Sequence, residues 1–173
     1  MGNWPKQSNL AAFYGNPDVN RDGAPDIFWQ RANLVRIVPP YPMYYPTVKS
    51  GKLVKRPQKL SAITCHRKVA PSLLRVLTRI GDELTPDEIK TYELDIFGGC
   101  FNFRAMRSGR ALSTHSYAAA IDLSHLINRY KRRYDMGAGM MPMRVVRMFE
   151  AEGWTWGGLW RTGDAMHFQA ADL

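Results

Sequence analysis

An α+β fold, with helices flanking a small antiparallel sheet, is what three observations in this chain of 173 residues predict. Two segments, 71–84 and 143–152, carry an apolar face at helical spacing. Four shorter segments, 101–104, 119–123, 157–160 and 166–169, read as strand or strand-like. The order is helix, two strands, helix, two strands, and strands that follow one another without a helix between them favour antiparallel pairing.

Residues 1–57 are rich in Pro, Gly, Asn and aromatics, and read as an N-terminal extension packed on a catalytic domain of residues 58–173. The whole is expected to form one globular unit, since this length supports one core better than two. Asn16-Pro17-Asp18 and Asp22-Gly23-Ala24-Pro25 are turn signals. Asp18, Asn20, Asp22 and Gly23 also copy the first half of a calcium loop, but Trp29 stands where the loop needs a bidentate Glu. A tight turn is therefore expected there in place of a calcium site. Residues 34–38 form a short strand that runs into 39–46, whose prolines forbid helix. That segment either wraps the core or lines a groove with its tyrosines, and wrapping is the expectation.

The helix over 71–84 keeps Leu73, Leu74, Leu77, Ile80 and Leu84 on one face, with Pro71 suited to its first turn. Thr85-Pro86-Asp87-Glu88 carries the cap and first turn of a further short helix. In 143–152 the apolar positions are Val145, Val146, Met148 and Phe149, and Gly153 ends the helix. Alternation in the strands places Ala120 with Asp122, and His167 with Gln169. Ile121, Leu123, Met166 and Phe168 then face the opposite way, so each of these strands has one apolar and one polar side.

Hydrophobic residues make up 45% and charged residues 23% of the chain, which argues against wholesale disorder. Lys and Arg number 24 against 15 Asp and Glu, a formal charge of +9 that favours a polyanionic partner. Charge alone does not choose among nucleic acid, anionic lipid and an anionic cell wall. The one dense basic run, Arg129-Tyr130-Lys131-Arg132-Arg133, reads first as a solvated helix end or loop. No apolar stretch is long enough to span a membrane, and Met1–Lys6 lacks the apolar core of a secretory signal. Cys65 and Cys100 are too few for a disulfide framework and lack zinc-finger spacing, so both are expected to be free and partly buried.

The chemistry concentrates in two places. Ser113-Thr114-His115 is followed seven residues after the histidine by Asp122, and Asp164-Ala165-Met166-His167 comes near the end. Two imidazoles and one carboxylate suit a Zn²⁺ that keeps a coordination position open, as catalytic rather than structural zinc does. Taken alone, His115 would read as a surface or hydrogen-bonded histidine; together with Asp122, Asp164 and His167 it reads as a metal ligand in a hydrolase. His125, three residues beyond Asp122, is the competing ligand, expected to fall outside the set because the strand's direction changes by then. His66 is expected at the surface or in packing. Trp154, Trp156 and Trp160 divide between core and groove wall.

Gly99-Cys100-Phe101-Asn102-Phe103-Arg104, then Leu112 through Asp122, resembles the zinc peptidases that include D-alanyl-D-alanine carboxypeptidases and the L-alanyl-D-glutamate endopeptidases of phage endolysins. Ser113, His115, Ala120 and Asp122 fall in register with the family pattern, and Asp164-x-x-His167 supplies its second half. The resemblance runs over roughly residues 60–173. It implies a Hedgehog/D,D-peptidase-like zinc peptidase fold, with Zn²⁺ held by His115, Asp122 and His167. It further implies Asp164 as general base and Arg104 as the cation that stabilises the tetrahedral intermediate. Arg107 and Arg110 are alternatives for a substrate carboxylate. Ser113 either orients the ligand loop or a substrate group or is a simple turn serine, and Trp160 and Arg107 are expected to bind substrate. Where the family has Gly the chain has Ala118, which strains the backbone if that glycine serves a positive-φ turn, and fits if it serves close packing.

The function so implied is cleavage of a stem-peptide amide in peptidoglycan. The L-alanyl-D-glutamate endopeptidase of an endolysin is preferred to a D-alanyl-D-alanine carboxypeptidase. The expected protein is a monomer made in a host cytoplasm, reaching the wall at phage lysis, with its charge drawing it to the anionic envelope and no nucleic acid required. A non-catalytic wall- or nucleic-acid-binding module is the competing class, and Asp164 argues against it, since a binding module needs no base beside its metal.

Overall fold

The structure is a computed structural model that describes residues 4–46, 48–49, 52–53, 58–106, 109 and 111–173. Its helices are α1 (Leu10–Tyr14), α2 (Ile27–Asn33), α3 (Ala70–Glu83), α4 (Pro86–Thr91) and α5 (Met143–Ala151). Its strands are β1 (Leu34–Ile37), β2 (Tyr44–Tyr45), β3 (Val48–Lys49), β4 (Lys52–Leu53), β5 (Gln58–Lys59), β6 (Ile63–His66), β7 (Phe97–Gly99), β8 (Ala120–Leu123), β9 (Thr155–Trp156) and β10 (His167–Gln169). The principal sheet has the order β7-β8-β10-β9, and every pairing in it is antiparallel. Among the described residues, the two-stranded ribbons β1-β6, β2-β5 and β3-β4 accompany it. The architecture is α+β, as the order of elements predicts.

α3 forms because apolar residues return every three or four positions. Leu73, Val76, Leu77 and Ile80 are fully buried, and a proline stands in the first turn. Leu74, expected on that face, is instead 40% exposed, and Val76 takes a core position. The reason is angular: with Leu73, Leu77 and Ile80 inward at helical spacing, Val76 falls inside the same stripe and Leu74 at its edge. α4 begins on a reciprocal cap. The Thr85 hydroxyl accepts from the Glu88 N–H (3.2 Å), and the Glu88 carboxylate accepts from the Thr85 N–H (2.8 Å).

α5 buries Val145, Val146, Met148 and Phe149, and the Phe149 ring stacks on Phe168 of β10 at 3.9 Å between centroids. Ile121, Leu123 and Phe168 are fully buried on one side of the sheet. Their neighbours Asp122 and His167 face the other side, where the cleft opens. The proline-rich stretch wraps the core: Tyr41 and Met43 are buried, and the Tyr41 hydroxyl donates to the Leu94 carbonyl (3.2 Å). Leu10 and Tyr14 belong to the same core as the sheet, and the Tyr14 hydroxyl donates to the Ala170 carbonyl (2.7 Å).

Two expected strands take other forms. Residues 101–104 are extended but pair with a turn: the Asn102 N–H donates to His115 O (3.1 Å) and the Ser113 N–H to Arg104 O (3.0 Å). A 3₁₀ turn cannot supply the evenly spaced partners of a ladder, so the strand falls earlier, at β7. Residues Gly157–Leu159 form a 3₁₀ turn, with the Trp160 N–H donating to Gly157 O (3.2 Å), and the strand is again the preceding pair, β9. α1 and α2 have five and seven residues, too few turns to write a periodic signature. α2 depends on its cap, the Asp26 carboxylate accepting from the Trp29 N–H at 2.7 Å.

Candidate metal centre

Strand register builds the site. In the β8-β10 pair, Asp122 stands directly opposite His167 and Ala120 opposite Gln169, which brings a carboxylate and an imidazole side by side on the polar face. The third group arrives on a 3₁₀ turn, Thr114–Tyr117, opened by Ser113, whose hydroxyl accepts from the His115 N–H (3.4 Å). The turn closes on Ala118 at φ 52°, ψ 33°, in the left-handed region. Of the two roles considered for that position, the structure shows the positive-φ turn. Its methyl is fully buried, so an alanine here is both strained and enclosed.

The three donor atoms form a nearly equilateral triangle. His115 Nε2 lies 3.1 Å from His167 Nδ1 and 3.2 Å from Asp122 Oδ1, and His167 Nδ1 lies 3.0 Å from Asp122 Oδ1. In a tetrahedral zinc site with bonds of about 2.0–2.1 Å the donors stand roughly 3.3 Å apart, so the triangle is close to the footprint of such an ion.

Surrounding hydrogen bonds decide what these nitrogens offer. His115 Nδ1 faces the Cys100 carbonyl at 2.8 Å; a carbonyl only accepts, so Nδ1 carries the proton and a neutral ring turns the Nε2 lone pair inward. His167 Nε2 faces Gln169 Oε1 at 3.2 Å, and the Gln169 amide is oriented by donating from Nε2 to Ala171 O (3.2 Å) while Oε1 accepts from the Thr114 hydroxyl (3.1 Å). His167 therefore presents the Nδ1 lone pair. Two lone pairs and a carboxylate oxygen thus converge within 3.2 Å, an arrangement that repels itself unless positive charge occupies the centre. Burial pushes the Asp122 carboxyl toward neutrality, but the His115 and His167 imidazoles outweigh it and hold it well below the usual carboxylate range. Burial also opposes a second proton on His167, yet the bond that proton would make to Asp122, the Asp122 charge and then the Asp164 charge outweigh it and raise its pKa. The residues fit a divalent cation. Among the described residues no other group of three His, Cys, Asp or Glu gathers in this way. In the Asp18–Asp22 turn the Asp22 carboxylate accepts from the Ala24 N–H (3.0 Å).

Asp122 and His167 open on a cleft of about 400 Å³. Arg104, Ser113, Trp160 and Asp164 line it as well, while His115 is buried behind it. Arg107 and Arg110 lie outside the described residues. Asp164 is half-buried; its backbone N–H donates to Gly157 O (2.9 Å), and its own carbonyl accepts from the His167 N–H (3.0 Å). Gly157 allows this approach, because a Cβ there would lie 2.7 Å from Asp164 O. Arg104 is held through Ser116, whose hydroxyl accepts from the Arg104 N–H (2.9 Å) and donates to the Arg104 carbonyl (2.7 Å). The Trp160 ring stands 5.4 Å from the His167 ring, while Trp154 and Trp156 are in the core.

His125 is outside the donor triangle, as expected. His66 is fully buried, its Nε2–H donating to Tyr14 O (3.1 Å) and its Nδ1 accepting from the Lys68 N–H (3.1 Å). Cys65 and Cys100 are free and buried, and burial pushes the Cys65 thiol up to about 12. Sequence reasoning overlooked the supports of the centre: the Cys100 carbonyl, Thr114, and Gln169 as an orienting group. Only Gln169 left a signal, through its alternation with His167; a backbone carbonyl leaves none. Gln7 and Tyr130 also line the cleft without having been anticipated.

A family model described as D-alanyl-D-alanine carboxypeptidase matches residues 106–170. The match takes in all three donors and Asp164 and leaves Arg104 and the N-terminal region outside it. No curated protein and no solved structure matches the chain.

Proposed function

We propose that the protein is a zinc-dependent peptidase that cuts an amide bond in the stem peptide of peptidoglycan. The observation that carries this is the donor triangle with both imidazole tautomers fixed, open on a cleft that also holds Asp164 and Arg104. His115, Asp122 and His167 would hold the ion, which when bound supplies Lewis acidity toward a water and a carbonyl.

The chain's own groups divide the remaining work. The Asp164 carboxylate accepts a proton from the attacking water and returns it to the leaving amine. The Arg104 guanidinium supplies positive charge where the carbonyl oxygen becomes an oxyanion; by comparison with a lost oxyanion donor this is worth about 2.7–4 kcal/mol. Trp160 gives the peptide an apolar wall and shields the His167 side of the cleft from water. Ser113 fixes the turn that presents His115.

The finer reading is an L-alanyl-D-glutamate endopeptidase of a phage endolysin, supported by the resemblance of the Ser113–Asp122 and Asp164–His167 motifs. A D-alanyl-D-alanine carboxypeptidase is the second reading, favoured by the description of the family that residues 106–170 match. Digestion of purified sacculi followed by mass spectrometry separates them: new D-glutamate amino termini mark the endopeptidase, and released D-alanine marks the carboxypeptidase. Chelation should abolish either activity and Zn²⁺ restore it. Asp164→Asn should lower kcat by about 10²–10⁴ while zinc binding is retained. Turnover that survives chelation, or an Asp164→Asn protein as fast as wild type, would sink the mechanism.

A further inference from the structure

A second cavity, of about 450 Å³, adjoins the cleft. Trp160, Arg161 and Thr162 line both, so the two spaces share one wall. The rest of the second cavity includes Lys131, Arg133 and Tyr134 from the basic run and its continuation, and Leu159 from the opposite loop.

The basic run is fixed in place there. The Lys131 N–H donates to Gly163 O (2.9 Å), and Gly163, at φ 62°, approaches so closely that a Cβ would lie 2.7 Å from Arg132 O. Glycine at position 163 thus lets the run press against the loop that carries Asp164. Lys131, Arg133 and Arg161 are all exposed. Among the described residues none of the three forms an ion pair with a carboxylate. Lys131 Nζ instead lies 5.8 Å from the centroid of the Tyr130 ring, and Tyr130 itself lines the first cleft. Three like charges around one concavity repel one another, and an oxyanion placed among them meets donors suited to carboxylate. Leu159 (79% exposed), Trp160 and Tyr134 add apolar surface, which suits a peptide better than a bare phosphate chain.

Resting on the reading above that a peptide occupies the cleft, we propose that this cavity is a subsite for carboxylates of that same peptide. It would make the protein selective for acidic peptides over their amidated forms. Selectivity then comes from Lys131, Arg133 and Arg161, remote from the donor triangle, and the bond cut is decided separately in the cleft.

The test is calorimetric titration in an Asp164→Asn background, with Lys131→Gln/Arg133→Gln compared with the native side chains. The probes are a synthetic wall-stem tetrapeptide with free carboxylates, the same peptide fully amidated, and inorganic polyphosphate. Near-UV circular dichroism checks that the double variant is folded, and the amidated peptide is the internal standard. The Kd of the acidic peptide should rise about tenfold or more on loss of two charge-assisted contacts, with the amidated peptide moving less than about twofold. Equal shifts for both peptides, or no binding of the acidic one, would overturn the proposal. Loss of polyphosphate binding with the acidic peptide unaffected would also overturn it, in favour of a face for anionic polymers. A wild-type protein that cleaves no stem peptide, in a chain that still binds with carboxylate selectivity, would remove the proposed activity and leave the subsite standing.

Discussion

Replacing Gln169 by Met tests whether the affinity of the proposed zinc centre depends on a residue that would not touch the ion. Gln169 Oε1 accepts from His167 Nε2 at 3.2 Å and is locked by Thr114 and by its own bond to Ala171 O. Methionine keeps the volume and removes the acceptor. The buried His167 N–H then loses its partner, at a cost of about 1–3 kcal/mol, and nothing holds Nδ1 as the inward lone pair. Loss of such an orienting bond typically lowers metal affinity 10–100-fold, which is about 1.4–2.7 kcal/mol, so the two routes to the magnitude agree. Competition against a chromophoric chelator at neutral pH reads the affinity directly. Gln169→Glu retains an acceptor and adds charge, so its affinity should equal or exceed wild type. A Met variant within twofold of wild type, or a Glu variant as weak as the Met variant, would refute the argument that the tautomer is set here.

Three further outcomes follow from particular residues. Burial, and next the nearby charges of Lys68 and Arg67, pull His66 down from 6.5 to about 4 against the opposing Tyr14 hydrogen bond. The unfolded chain therefore takes up that proton first, so stability present above pH 6.5 is lost as the pH falls toward 4. The loss should approach about 3 kcal/mol, and urea unfolding between pH 7 and 4 should show a flatter slope in His66→Gln. Ala118→Gly relieves about 1–2 kcal/mol of left-handed strain and gives back about 0.4–1 kcal/mol of unfolded-state entropy. The net gain should be roughly 0.5–1 kcal/mol, visible as a Tm higher by about 1–4 °C; an unchanged or lower Tm would count against strain at this turn. Gly157→Ala drives a methyl against Asp164 O, and should lower kcat about tenfold or more with chelator-measured zinc affinity within a few-fold of wild type.

The convergence of His115, Asp122 and His167 was legible because a divalent cation calls for particular side chains, and the chain carries those three in order. α3 and α5 were legible through the 3.6-residue return of their apolar positions. β8 and β10 were legible because their ligand-bearing and apolar positions alternate, and β1 as a short, largely apolar run. What escaped was set by tertiary contact. Residues 101–104 are extended but pair with a turn, and whether an extended segment finds a ladder depends on a partner remote in sequence. Residues 157–160 read as strand-like and prove to begin with a tight turn, where Gly157 lies against Asp164 and Gly158 against Trp156. The basic run reads as solvated surface, and it is exposed, yet its backbone is fastened to Gly163, a contact with no periodic signature. Packing, one of the two readings given for His66, is what the structure shows, and its partners are backbone groups that leave no mark in the sequence.

The direct opposition of Asp122 and His167 across β8 and β10 links folding fidelity to competence. A slip of one residue in β10 would turn His167 toward the apolar interior and bring Phe168 out, and the same slip in β8 would do so to Asp122 and Ile121. An ion held by the proposed centre would therefore act as a proofreader, stabilising only the chain that has closed this ladder correctly.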